Sequence, residues 1–150
     1  MADHRAEQIT NAFTTTLTGL TSTGANVIRD RIFTFDTSLL PALSIYQGDD
    51  TPLPYEYRNF SLDDFLLTIH VDIYAQGTTA IPVSQTLNQV RKEIIIAIQA
   101  DYTLGLSFVI DTEEGTAFRP LIEHIDKVNA VQTMDFNIKY RRSRTDPSTS

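Results

Sequence analysis

The chain has 150 residues, 41% of them hydrophobic and 21% charged, with no cysteine and a formal net charge of −7. That length supports one domain with a real core but not two, and the charged fraction is that of a globular chain, not a disordered one. Without cysteine there is neither a disulfide framework nor a thiolate metal site, and no run approaches the ~18 apolar residues of a membrane span, so a cytosolic start is expected.

Residues 141–150 hold Arg141, Arg142 and Arg144 against Asp146, a local +2 that leaves −9 on the other 140 residues. So acidic a body argues against wrapping nucleic acid, which works by replacing phosphate counterions with Lys and Arg. A surface past which DNA slides remains compatible with it, and solubility alone is the plainer account.

In chain order, Asp3 to Leu20 predicts an amphipathic helix, with Ile9, Phe13, Leu17 and Leu20 at spacings of three and four. Thr10, Thr14, Thr15 and Thr16 lower its local propensity, so packing must hold it. Gly19 and Gly24 have the spacing of a phosphate loop, but Ala25 and Asn26 stand where Lys and Ser/Thr are needed. Val27–Phe35 predicts a strand, and Leu43–Gln47 a second, short one. Gly48–Pro54 then reads as a loop, on a glycine, two prolines and the adjacent Asp49 and Asp50. Tyr55, Tyr57 and Phe60 continue it.

Phe65–Gly77 carries the strongest pattern. Phe65, Leu67, Ile69, Val71, Ile73 and Ala75 alternate with Leu66, Thr68, His70, Asp72, Tyr74 and Gln76, which predicts a long strand with one apolar face. Val83, Leu87, Val90, Ile94 and Ile98 define the stripe of a helix running to Ala100, with Pro82 at its start. Leu104–Ile110 predicts a strand and Asp111–Gly115, with Glu113 and Glu114, a turn. Phe118–Ile125 reads as extended, with Pro120 confining it to an edge or bulge. Val131–Arg142 alternates again, placing Gln132, Met134, Phe136, Ile138 and Tyr140 on one face. A sheet buried on one side and wet on the other fits an α/β, more closely α+β, domain over residues 1–140, with helices packed on one face. Residues 141–150 read as a flexible polar tail.

The sharpest chemical candidate is a repeated His-x-Asp, His70-Val71-Asp72 and His124-Ile125-Asp126. Residues i and i+2 of a strand share a face, so two such strands side by side could offer a divalent metal imidazoles and carboxylates. The simpler reading leaves both pairs on the wet face of the sheet. No serine stands in a nucleophile motif, and adjacent acids in polar loops are ordinarily solvated. The expectation is therefore no catalytic residue, no metal and no cofactor. Tyr46, Tyr55, Tyr57 and Phe60 gather around the acidic loop, a mixture typical of protein interfaces, although they could equally pack the loop on its own domain. Asp49, Asp50, Tyr55, Tyr57, Phe60, Glu113, Glu114, Arg141, Arg142 and Arg144 are the candidate assembly residues.

The segment Leu40-Pro41-Ala42-Leu43-Ser44-Ile45-Tyr46-Gln47-Gly48-Asp49-Asp50, the strand ending Asp72-Ile73-Tyr74-Ala75 and the closing Met134-Asp135-Phe136-Asn137-Ile138-Lys139-Tyr140 look like one family. With the leading helix, they resemble the tail-terminator proteins of long-tailed bacteriophages, the group that includes the lambda minor tail protein U. The resemblance covers nearly the whole chain. It implies a mixed, mainly antiparallel sheet and assembly into a hexameric ring. Such a ring binds the finished end of the tail tube, stops its polymerisation and offers a surface to the neck or head-completion protein. It further implies a place at the head–tail junction of the virion, host cytoplasm during assembly, and DNA passing through without specific binding. The alternatives are another head–tail connector or minor tail protein and, in a different class, a small metal-dependent enzyme using the His-x-Asp pairs.

Overall fold

A computed structural model describes residues 3–30, 40–53, 62–124 and 128–149. The elements seen among them are α1 (Arg5–Leu17), β1 (Val27–Arg29), β2 (Ala42–Pro52), β3 (Leu62–Gln76), α2 (Val83–Ala100), β4 (Val109–Ala117), β5 (Leu121–His124) and β6 (Val128–Ser143). The strands make a single sheet in the order β1-β2-β3-β6-β4, and β5 follows β4 along the same side of β6. β1 runs parallel to β2, and every other pairing is antiparallel. This is the α+β sheet with helices on one face that the alternating strands predict, and its pairing is mixed and mainly antiparallel, as the resemblance implies.

The centre is the β3–β6 pair, in unbroken register from Leu62↔Ser143 to Gln76↔Asn129. Phe65, Leu67, Ile69, Val71, Ile73 and Ala75 of β3 and Met134, Phe136, Ile138 and Tyr140 of β6 are all buried on one side. Val83, Leu87, Val90, Ile94 and Ile98 of α2 and Ile9, Phe13 and Leu17 of α1 close the same core. The Phe13 ring meets Phe136 edge-on, centroids 5.4 Å apart, a favoured aromatic geometry.

Local chemistry then trims each element. In α1 the hydroxyls of Thr10, Thr14 and Thr16 donate to the carbonyls four residues back, at 2.7, 2.8 and 2.8 Å, which satisfies them without leaving the helix. Its N-cap is His4, whose Nδ1 accepts from the Ala6 N–H at 3.0 Å. Ser22, in the turn after α1, donates its N–H (2.8 Å) and its hydroxyl to the Glu93 carboxylate of α2. Burial pushes the Glu93 carboxyl up, but the hydrogen bonds from Ser22, Gln89 and Thr21 together outweigh it, and the net displacement is below the ordinary value.

Five expectations are corrected. The Gly48–Pro54 loop is strand as far as Pro52: β2 continues past a register shift between Gln47 and Asp50 and pairs Asp50, Thr51 and Pro52 with Leu67, Leu66 and Phe65. Partnership with the long β3 overrides the turn-forming composition, and a β-bulge absorbs the mismatch. The Asp111–Gly115 turn is likewise strand. β4 begins at Val109, where the predicted one was to end, and residues 104–108 turn, with Leu104 at φ 56°. Of the strand predicted over Val27–Phe35, β1 occupies Val27–Arg29, Asp30 turns at φ 55°, and residues 31–35 lie outside the described residues. The tail does not begin after Tyr140, because Arg141, Arg142 and Ser143 are β6 residues paired with Asp64, Asp63 and Leu62. Beyond them the chain turns back on α1, where the Arg5 N–H donates to the Pro147 carbonyl at 2.8 Å.

Candidate functional site

The face of the sheet that no helix covers among the described residues is organised. Every polar pair that the β3–β6 register sets opposite one another there is joined by side chains. Arg141 Nε donates to Asp64 (2.8 Å), Thr68 to Asn137 (3.0 Å), Thr133 to Asp72 (2.6 Å) and Gln76 to Asn129 (3.0 Å). His70 Nδ1 lies 2.5 Å from Asp135 Oδ1. Directly opposed pairs of this kind stabilise a sheet by about 0.2–1 kcal/mol each, so the ladder welds the two central strands on their wet side.

The middle rung is the most constrained. An ionised Asp135 only accepts, so the His70 Nδ1–H donates and Nε2 is left toward β2. There it lies over Gly48 of the bulge, where a Cβ would collide with the ring. Tyr46 flanks the imidazole with centroids 5.0 Å apart, and its hydroxyl donates to Asp72 at 3.2 Å. Burial, then the Asp72 charge and hydrogen bond, push the Tyr46 phenol up to about 12, so it is a neutral donor at physiological pH. On the far side a Cβ on Gly115 of β4 would press tightly on the Asp135 carbonyl at 3.0 Å and on Asn137 at 3.2 Å. Two glycines thus bracket a histidine–aspartate rung between neighbouring strands.

The two His-x-Asp pairs are not brought together. His70 is opposite Asp135, His124 is opposite Val128, and β6 separates the two strands. The seven residue steps along β6 from Val128 to Asp135 span about 23 Å at ~3.3 Å per residue. Among the described residues no three His, Cys, Asp or Glu side chains are grouped to hold a metal ion; Asp126 lies outside them.

The candidate assembly residues divide by place. Asp49 and Asp50 are exposed on β2 at the bulge, and Asp50 accepts from the hydroxyl of the buried Tyr140 at 2.7 Å. Burial and that acceptor push the Tyr140 phenol far above its ordinary value. Glu113 and Glu114 are exposed on β4. Arg141 pairs with Asp64, Arg142 lies over the Phe65 ring at 3.9 Å, and Arg144 pairs with Asp63 at 3.1 Å. Arg141 and Arg144 thus neutralise acids of their own subunit, while Arg142 covers an aromatic ring. Tyr55, Tyr57 and Phe60 lie outside the described residues.

The sequence reading missed the surface that β5 presents. Phe118, Leu121 and Ile122 are 48%, 71% and 47% exposed on and just before this strand. Pro120 had marked the segment as an edge or bulge, and β5 is an edge strand with β6 its one neighbour among the described residues. The outward apolar pair Leu121-Ile122 next to that proline was the available signal.

No helix among the described residues is long and apolar enough to cross a membrane. Compared with known proteins, the chain matches no family profile and no curated sequence.

Proposed function

We propose that this protein is a tail terminator of a long-tailed bacteriophage, a structural ring that caps the tail tube, stops its growth and presents a surface to the neck. The observation that carries the reading is the one-sided sheet. Helices cover one face, and the other is an ordered, side-chain-linked polar surface available to neighbouring subunits. The sequence resemblance over nearly the whole chain supplies the identity of the assembly. Its partners in this role are further copies of itself, the tail tube protein and a head-completion protein. DNA passes the acidic body without being held, since net negative charge opposes phosphate.

Electron microscopy of the purified full chain, with its mass in solution, tests the ring. Six copies of 16.9 kDa give a closed ring of about 100 kDa. A species that stays monomeric both alone and with tail tubes would overturn the reading. Removing residues after Ser143, not after Tyr140, is the cut that probes the C-terminal segment without shortening β6.

A further inference from the structure

Exposed sheet edges invite pairing with another chain, and proteins blunt them with bulges and charges. β4 is blunted in both ways. Its register with β6 shifts between Val109 and Asp111 and again between Glu114 and Ala117, and it exposes Glu113 and Glu114. β5 lacks the bulge, since all four of its residues pair with β6 in regular register; it exposes one acid, Glu123, and its outward side chains include Leu121 and Ile122.

The charges around this edge select what can cover it. Arg119 and Glu123 flank the apolar run Pro120-Leu121-Ile122, both are exposed, and neither has an ion-pair partner among the described residues. The segment Arg119-Pro120-Leu121-Ile122-Glu123 therefore reads positive, apolar, apolar, apolar, negative. Reversed and laid against itself about Leu121, it sets each arginine opposite a glutamate and each apolar residue opposite an apolar one. We propose that β5 is a two-fold self-pairing edge: residues 119–123 of one copy add antiparallel to residues 119–123 of a second copy, with Leu121 opposite Leu121.

The register of the subunit supports the geometry. Leu121 pairs with Val131, which pairs with Tyr74, and Glu123 pairs with Asn129, so both lie on the face not covered by helices. Pairing two β5 edges makes one sheet continuous through two subunits and buries Leu121 against its own copy at the axis. The contact is short, so the dimer dissociates on dilution. It is independent of the tail-terminator reading: a ring closes through head-to-tail contacts, whereas this isologous contact holds two subunits, or two rings, face to face.

The absence of cysteine gives a direct test on the full chain. Opposed residues of an antiparallel pair lie about 4.5–5.5 Å apart between Cα atoms, within reach of a disulfide. Under mild oxidation Leu121→Cys should form a disulfide-linked dimer at least about tenfold faster than Ile96→Cys, an exposed control on α2. In sedimentation across a dilution series, Arg119→Glu and Glu123→Arg should each weaken self-association by about tenfold or more, and the double exchange should restore most of it. All these side chains are exposed, so circular dichroism and melting should be unchanged in every variant. Equal cross-linking of the two cysteine variants, or a double exchange no better than the singles, would overturn the self-pairing edge. Failure to cap tail tubes would overturn the ring reading and leave this contact standing.

Discussion

The two faces of β3 are held by different physics. On the helix side, Phe65 to Ala75 lose nearly all contact with water through non-directional packing against α1, α2 and β6. On the open side, Thr68, His70, Asp72 and Gln76 stay partly exposed and are fixed by single partners on β6. The first face stores stability in volume and the second stores specificity in register, since a shift by one residue would mismatch every rung at once.

The largest expected effect lies on the packed face. Ile69→Ala leaves a cavity where no atom can follow and should cost about 2–5 kcal/mol in denaturant unfolding. Thr68→Ala, its neighbour on the open face, should cost no more than about 1 kcal/mol. Equal losses from the two would break the contrast.

Gly48→Ala comes next, at about 1–3 kcal/mol, because its methyl must displace the His70 ring from between Tyr46 and Asp135. In a His70→Ala background the same change should cost almost nothing. A double-mutant cycle that is additive would show that the bulge glycine serves the backbone and not the imidazole.

Tyr140→Phe keeps the packing and removes the hydroxyl that donates to Asp50, so it should cost about 0.5–1.5 kcal/mol. Asp50→Asn should cost no more than that, as its amide oxygen still accepts. A larger loss from Asp50→Asn would mean that the carboxylate charge, and not the hydrogen bond, holds β2 against β6.

The smallest effect is a pH dependence. Glu93 has its folded-state value depressed below the ordinary 4.5, so its contribution is complete above that pH and fades as pH falls through the lower folded value. Ser22→Ala removes the hydroxyl of Ser22 that helps depress it. The stability gap between wild type and Ser22→Ala should therefore be constant at neutral pH and close as the pH falls below the ordinary 4.5 and through the lower folded value. A gap unchanged into that range would assign the contact to geometry alone.

What the sequence made legible follows from where the information sits. β3 and α2 have their periodicity within one continuous segment, and their buried residues were read directly, although β3 begins at Leu62, ahead of the predicted Phe65. β2 beyond Gln47 and β4 were read as loop and turn because glycines, prolines and paired acids dominate them locally. Both are strands because β3 and β6, long and already ordered, supply partners along their edges. The His70–Asp135 rung was invisible for a related reason. Each residue was legible as wet-face, but their opposition depends on a register between strands 65 residues apart. The intramolecular partners of Arg141, Arg142 and Arg144 were invisible likewise, since Asp63, Asp64 and the ring of Phe65 come beside them only once β3 and β6 pair.

The measurement that bears most directly on the proposed role uses tail tubes of the same phage assembled without this protein. Purified full chain is added, and tube length and head attachment are followed by electron microscopy. The account predicts that growth stops, that a ring of density appears at one tube end and that capped tails then accept heads. Tubes that continue to lengthen at saturating protein, with no added density at either end, would contradict it.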